Sequence, residues 1–541
     1  MTSTPGTPIS VRIPFAAVVL AMLPAVLDQT ILATALPTIA ADLGRLSDVS
    51  WVVTAYVVAA AATTPLWGKL GDRRGRKPML ELSLAMFLAA SAACGLATDI
   101  AMLVAFRAVQ GVAAGGLMSL AMAAVGDLVS PRERGRYQGY IASVFAAATI
   151  AGPLVGGLLV DHASWRWVFY VNLPLGIAAL AGLRLRLPAP EPAPATGPLD
   201  VAGAALLAAA TSCLMLACIW GGDRYAWASP ETGALAAGAA AFGIALAVRE
   251  RRAADPVVSL GLLRTRTVAV ASAALFLATA ALFAVNVFVP LFLQTTTGAS
   301  PTQAGLLLVP AMLGITVSTW LAGRGIEKTG RYKRYPLIGL GLMTAAMAGL
   351  AVAAGHPSRA GVGAGLALFG LGFGMVGQVL ITAVQSDVDR RELGTAMATT
   401  TFFRGLGGAV GAAVLGAVFA ARSGGGSAGH TIHELSGAAR ADLIDAVQAV
   451  FVCAAPLAAL GLVVTLLLRE TPLQGRAAEP APTTREETAR HRRQPSTSAA
   501  ASRRCDLGDR GALRRVVRRD PVNGSDPPPP VCSPATTPGA L

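Results

Sequence analysis

Charge is what this chain has least of. Asp, Glu, Lys and Arg make up 14% of its 541 residues, where soluble domains carry roughly a quarter, and this excludes an ordinary soluble globular domain. No G-x-x-x-x-G-K-[ST] string occurs, so a P-loop motor is excluded. Work done by the protein must then draw on ion gradients, worth ~2.3 kcal/mol per charge per 100 mV. None of the five histidines, His162, His356, His430, His433 and His491, belongs to an HExxH pattern. His430 and His433 share one loop but have no further ligand in view, so no metal site is expected. Cysteine is equally sparse. Cys94, Cys213, Cys218 and Cys453 fall within apolar runs, Cys505 and Cys532 lie near the C-terminus, and no CxxC occurs, which leaves neither a disulfide framework nor a thiolate site. One G-x-S-x-G string, Gly425 to Gly429, sits in a Gly/Ser loop with no strand before it and cannot be a nucleophile elbow. An enzyme and a cofactor are therefore not expected.

Apolar residues, by contrast, make up 54% of the chain. They gather in stretches of about 17 to 25 residues from Phe15 onward, each long enough to cross a ~30 Å hydrocarbon core as a helix. Fourteen such stretches are read, the tenth over Gln303 to Leu321, which predicts an all-α integral membrane protein. Lys and Arg divide unevenly between alternate loops. The N-terminus and even-numbered loops hold 23 and the opposite side six, which places both termini in the cytoplasm of a cell whose inner membrane the chain spans. The net charge of +14 thus reflects topology and tail, and nucleic acid is not an expected partner. A cleavable signal peptide ending near Ala33-Thr34-Ala35 is a weaker reading of the first stretch, because Arg12 is the only early cation and Asp28 interrupts the apolar core.

A repeat organises these stretches. Gly68, Asp72, Arg73, Gly75 and Arg76 are matched by Gly323, Glu327, Lys328, Gly330 and Arg331, each 255 residues on. The first set joins spans two and three and the second joins ten and eleven. A shift of eight spans means two six-helix halves separated by two extra helices, a 6+2+6 arrangement. The expected organisation is a cytoplasmic N-terminus over 1–14, a first bundle over 15–187 and a linker with two extra helices over 188–267. A second bundle over 268–468 and a basic tail over 469–541 follow. The tail carries thirteen Arg and a PPPP run, a composition that predicts disorder.

The loop WGKLGDRRGRKPML, Trp67 to Leu80, resembles the signature loop of the major facilitator superfamily, with Gly68, Asp72, Arg73, Gly75, Arg76 and Lys77 in the matching positions. Three further strings are similar to motifs of its fourteen-span drug:proton antiporter branch: LDQTILATALP from Leu27, RAVQG from Arg107, and AGPLVGG from Ala151. WRWVFYVNLPLG, from Trp165, resembles the start of that branch's sixth span. The antiporter motif departs in one place, Ala148 standing where a leading Gly is usual. The resemblance implies the major facilitator fold and secondary active export of lipophilic small molecules, drugs or antibiotics, in exchange for protons. It also implies a proton-transfer role for Arg107. A monomer is expected. A facilitator or lipid translocator of the same fold, without proton coupling, is the alternative.

The residues argue for roles of their own. Asp28 lies near the middle of its span, where a charge is expensive and desolvation should raise a carboxyl's proton affinity, so it is the first candidate for proton or substrate coupling. Arg107, the one basic residue in span four, must face the bundle interior and find acceptors. Whether the two touch is not legible in sequence. Arg404 lies nearer the cytoplasmic end of its span and is read as snorkelling. Gly152, Pro153, Gly156 and Gly157 strip side chains and a backbone donor from span five, and the resemblance implies that this face packs against the second half near the extracellular side. Gly68, Gly71 and Gly75 are expected to permit a tight turn, while Asp72 caps the helix that starts near Thr395 and so latches the halves. Asp127 is expected to pair with Arg73 or Arg76.

Overall fold

A computed structural model describes residues 11–43, 46–188, 199–222, 224–253, 256, 260–297, 308–355, 359–422 and 437–470. The tail from residue 471, the Gly425 to Gly429 string, His356, His430, His433, His491, Cys505 and Cys532 lie outside the described residues. Helices carry almost all of the remainder, and the only β pairing among the described residues is an isolated bridge between Gly221 and Tyr225.

The helices in chain order are α1 Arg12–Leu43, α2 Leu46–Arg74, α3 Arg76–Gly95, α4 Ile100–Leu128, α5 Arg134–His162, the short α6 Trp167–Tyr170, and α7 Asn172–Arg186. A second set comprises α8 Val201–Trp220, α9 Pro230–Glu250, the short α10 Leu260–Arg264, α11 Arg266–Thr297, α12 Val309–Thr329, α13 Arg334–Gly355, α14 Arg359–Asp387, α15 Leu393–Arg422 and α16 Gly437–Leu466. Among the described residues, thirteen helical spans are long and apolar enough to cross a membrane, with α6 and α7 together forming one of them. α12 is not among the thirteen. It begins after the expected start of span ten and runs on through Arg324, Glu327 and Lys328, so the second copy of the basic motif lies largely in helix. In the first copy, too, Gly68, Gly71 and Asp72 belong to the last turns of α2. Only Gly75, at φ 93°, makes the turn into α3, as Gly330, at φ 68°, ends α12. The expected role of Gly68 and Gly71 as turn residues is thereby corrected: they are packing positions.

Close approach of helices follows from small side chains. α1 packs on α4, α5 and α7, and α4 on α2 and α3; α11, α13, α14, α15 and α16 form a second group with α12 on α14. Contacts between the groups run chiefly through α2 with α15 and α5 with α12. A Cβ on Gly68 would meet Ala398 and the Gly394 carbonyl of α15, and one on Gly323 would meet the backbone of Gly135 at the start of α5. Gly68 and Gly323 are the repeat partners 255 residues apart, so each sits at a crossing between the groups. α8 and α9 pair with each other, and α8 alone reaches α2 and α15. The pair is tied at one end by Asp200, which caps α8 through the Gly203 amide (2.9 Å) and accepts from Arg249 Nε (2.7 Å). Partial burial works against ionisation of this carboxyl, but those two donors outweigh it and hold it below the ordinary carboxylate range.

Candidate functional site: a buried ion pair and a helix-capping latch

Asp28 and Arg107 meet. Arg107 Nη1 donates to Asp28 Oδ2 at 2.5 Å, with the two residues 1% and 0% exposed. The carboxylate also accepts from Gln110 Nε2 (2.9 Å) and Asn172 Nδ2 (3.2 Å). Arg107 is further fixed by Gln110 Oε1 (2.7 Å), by the Val52 carbonyl (3.2 Å), and by the Tyr56 ring, 4.2 Å from its guanidinium carbon. Ser91 Oγ receives both amides and donates to the Phe169 carbonyl. Five helices, α1, α2, α3, α4 and α7, thus contribute to one network around this carboxylate, α4 and α7 by direct bonds and α2 and α3 through Arg107, Gln110 and Asn172. The desolvation argument from sequence treated Asp28 as a lone charge; in place it has a counter-charge and two amide donors. Such a site is stable while both charges are present, and removing either partner leaves the other stranded at a cost of ~3–5 kcal/mol. Gln110 and Asn172 were missed as site residues. Both stand in quoted motifs, RAVQG and WRWVFYVNLPLG, and Gln110 lies three residues after Arg107, which on a helix is the same face.

At the basic-loop end the second cluster joins the groups. Asp72 accepts from the Gly394 and Thr395 amides (2.8 and 2.7 Å) and from Thr395 Oγ1 (2.8 Å). This carboxylate therefore sits on the first turn of α15, where unpaired amides and the helix dipole favour negative charge. Arg76 pairs with Asp127 and with Asp72 (3.1 Å) and donates to the Arg390 carbonyl (2.5 Å), so of the two cations expected for Asp127 the structure selects Arg76. Arg134 performs the converse capping. Its guanidinium donates to the Gln385 carbonyl and Ser386 Oγ at the last turn of α14, and to the carbonyls of Gly126 in the last turn of α4 and of Val129 just after it, a cation at two helix C-termini. Gln385 returns a bond to the Met122 carbonyl (2.8 Å), and Arg136 pairs with Glu327, the repeat partner of Asp72, at 3.0 Å. Arg134 and Arg136 had no sequence signal beyond ordinary loop charge, and Gln385 none at all, because their partners across the gate are more than 190 residues away.

The antiporter motif lies elsewhere than expected. A Cβ on Gly152 would meet Thr30, and one on Gly156 would meet Thr34 and Ile31; Gly157 has nothing near it. The glycine face therefore packs on α1 within its own group, and α5 reaches the other group at Gly135 and Gly139 instead. The reason is local: Thr30 and Thr34 bond back to carbonyls of α1, presenting a flat surface that only a residue without a side chain can approach. Gly407 and Gly411, 255 residues after Gly152 and Gly156, meet Phe276 and Ala280 of α11 in the same way. Gly157→Ala is expected to gain up to ~1 kcal/mol of helix propensity, whereas Gly156→Ala forces α5 off α1 and costs about 1–3 kcal/mol. Thermal unfolding of the detergent-solubilised variants checks this; equal midpoints would remove the close-contact argument. Arg404 stands eleven residues into α15, half-buried, with no hydrogen bond or ion pair among the described residues.

Two pseudo-repeated helix groups meeting across capped helix ends, with a buried ion pair inside one of them, define a multi-pass membrane transporter of the major facilitator fold. A family model described as Major Facilitator Superfamily matches residues 18–412, and the chain belongs to that superfamily. It is 35% identical over 487 residues to an uncharacterized MFS-type transporter of Mycobacterium tuberculosis, covering 86% of this chain and 71% of the relative. It is 34% identical to the multidrug transporter protein MdtP of Bacillus subtilis over 75% of each chain, and 32% identical to multidrug resistance protein 3 of the same organism over 77% and 81%. In fold it is similar to the human organic anion transporter MFSD10 (TM-score 0.61, 19% identity, 85% of this chain and 100% of that one). It is likewise similar to the proton:xylose symporter XylE (TM-score 0.58, 14% identity, 86% and 97%).

Proposed function

We propose that this protein exports lipophilic small molecules across the cytoplasmic membrane in exchange for protons, by alternating access between a 6+2+6 arrangement of fourteen spans. In this reading α1 to α7 form the first bundle, α8 and α9 the extra pair and α11 to α16 the second bundle. Both termini are cytoplasmic, and the monomer is the working unit. Relatives named as multidrug transporters support drug export, and the buried Asp28–Arg107 pair is the observation that carries proton coupling. It is the one fully buried acid–base contact among the described residues, and intramembrane ionisable groups mark ion or substrate pathways.

Protonation of Asp28 releases Arg107 from its counter-charge, and the released guanidinium then depends on Gln110, the Val52 carbonyl and Tyr56. Two arrangements of one network are what a coupling element requires. At the other end, Asp72 on α15 and Arg134 on α14 hold the cytoplasmic side shut, while rocking of the bundles breaks these caps and opens it. Gly152 and Gly156 fix α5 to α1, so that movement at Asp28 is carried to the α5–α12 crossing.

Proteoliposomes containing the purified protein, with an acidic lumen and a trapped pH-sensitive dye, test the reading. Addition of a transported lipophilic compound is expected to release lumenal protons, and the release should vanish with Asp28→Asn. Movement of the compound without a proton signal would make this a facilitator or lipid carrier and leave Asp28 structural.

A further inference from the structure

Two side-chain amides hold the same oxygen of Asp28, and they are not equivalent. Gln110 Nε2 donates to Asp28 Oδ1 at 2.9 Å and Asn172 Nδ2 donates to it at 3.2 Å, while Oδ2 faces Arg107 Nη1. Gln110 is held at both ends of its amide, because its Oε1 accepts from Arg107 Nη1 at 2.7 Å. Turning it end for end would set an N–H against the guanidinium donors. Asn172 is held at one end only. It is 0% exposed, yet its Oδ1 is buried without a hydrogen-bond partner.

Asn172 is the first residue of α7, directly after Val171, which separates it from α6. From there its Nδ2 bridges α1 and α3, donating to Asp28 and to Ser91 Oγ (3.1 Å). This orientation is the one an ionised Asp28 requires, since a carboxylate only accepts and an N–H must face it.

A protonated Asp28 has the opposite need. Its Oδ2 lies on the guanidinium, where an added hydrogen would meet Nη1, so a proton arriving from solvent forms its O–H bond at Oδ1. That O–H then points at two N–H groups and lacks an acceptor. Gln110 cannot supply one without giving up Arg107. Asn172 can, because a half-turn of its amide exchanges two atoms of nearly equal size and breaks no bond at the far end, where Oδ1 has none. The carbonyl oxygen then stands where Nδ2 now lies, 3.2 Å from Asp28 Oδ1 and 3.1 Å from Ser91 Oγ, and the rotatable Ser91 hydroxyl can donate to it as well. Each orientation leaves one end of the amide unpaired, so the charge on Asp28 selects between them. The other titratable groups joined to this network are Arg107, Tyr56, whose ring lies 4.2 Å from the guanidinium carbon, and Cys94, whose Sγ is 3.6 Å from Gln110 Oε1. None of them bonds Asn172, and α5 meets α1 with glycines.

We infer that Asn172 inverts its side-chain amide when Asp28 takes up a proton, donating to the carboxylate in one state and accepting from the acid in the other. Asn172 is thus a positioning residue for the transported proton, and the inference rests on the proton-coupling reading above. It adds where the proton sits, on Oδ1, and how one enclosed site serves Asp28 in both charge states.

The chain has three asparagines, Asn172, Asn286 and Asn523. Asn286→Gln with Asn523→Gln therefore leaves Asn172 as the only residue labelled when the full-length protein is produced with asparagine carrying ¹³C at the side-chain carbonyl. Infrared difference spectra of this protein in lipid, between neutral and acidic buffer, read both partners at once. A carboxylic acid band that is absent from Asp28→Asn is expected to appear in acid. The labelled amide carbonyl band should move to lower frequency with the same pH dependence, because a carbonyl that gains an O–H donor is weakened. In Asp28→Asn the amide band should not follow pH. Asn172→Leu, which neither donates nor accepts, is expected to slow substrate-driven proton release by about tenfold. Appearance of the acid band with an unmoved amide band would overturn the inference and leave proton coupling at Asp28 intact. Proton release by Asn172→Leu at the wild-type rate would overturn it as well. Absence of any acid band assignable to Asp28 would overturn both readings.

Discussion

Asp28→Asn is expected to reduce substrate-driven proton release to the level of empty liposomes. Asn keeps the size and can still accept from Gln110 and Asn172, whose bonds to Asp28 are 2.9 and 3.2 Å, but it cannot exchange a proton. It also leaves Arg107, 1% exposed, without a counter-charge. The variant should therefore unfold earlier by the equivalent of ~3–5 kcal/mol, and a transport loss alone would not separate coupling from folding. Arg107→Gln in the same chain removes the stranded cation. The double variant is expected to regain most of the lost stability, read as the thermal unfolding midpoint in detergent, and to remain inactive in proton release. Proton-coupled export by the double variant would show that the pair is a structural cross-brace and that coupling lies elsewhere.

The next largest effect is expected at the gate. Asp72→Asn removes the charge that faces the N-terminus of α15 and leaves one acceptor where three bonds of 2.7 to 2.8 Å now converge. Charge-assisted bonds contribute about 1.5–3 kcal/mol each in favourable settings, and a charge at a helix end typically 0.3–1 kcal/mol at exposed sites. A shift of ~2–3 kcal/mol between the open and closed cytoplasmic states follows, roughly 30- to 150-fold in their ratio. Cysteine pairs placed across the α5–α12 crossing should cross-link more slowly in the variant. Turnover should fall while substrate KM stays near that of the wild type, because Asp72 and its partners belong to the gate and share no contact with the buried Asp28–Arg107 network. An unaltered turnover would remove the latch. Asp72→Glu is a useful companion, since it keeps the charge but lengthens the reach, and partial recovery would separate the electrostatic contribution from the geometric one.

These two sites differ in how they are built. Asp28 belongs to a network closed within one helix group, so its loss is felt in stability and in coupling together. Asp72 belongs to contacts between the groups, which the alternating-access reading requires to break in every cycle, and it shares that closure with the separate bonds of Arg76, Arg134, Arg136 and Gln385. Capping of helix ends suits that task. The amides of Gly394 and Thr395 and the carbonyl of Gln385 lie at helix termini, where no intrahelical partner serves them, so Asp72 and Arg134 take that place here and water can take over from the side chains when the gate opens.

Composition and hydropathy alone determined that this is an all-helical membrane protein, because a helix crossing ~30 Å of hydrocarbon needs about twenty apolar residues and must satisfy its backbone internally. The 255-residue repeat matched two loop segments, and the structure turned its glycines Gly68 and Gly323 from expected loop residues into crossings between the groups, on α15 and α5, since close backbone approach requires the missing Cβ. Asp28 and Arg107 were legible as charges in the wrong solvent, and Asp72 as a lone acid among cations whose expected partner was the helix starting near Thr395. That Asp28 and Arg107 touch each other was not legible. Their partners lie dozens to hundreds of residues away, and which of several cations reaches Asp127, or which helix accepts Gly152 and Gly156, depends on crossing angles and rotations set by all the side chains together. The tertiary structure decided that Asp28 is paired and that the antiporter glycines serve α1. A span's apolar pattern fixes that it is a helix; only packing fixes which way its few polar residues turn.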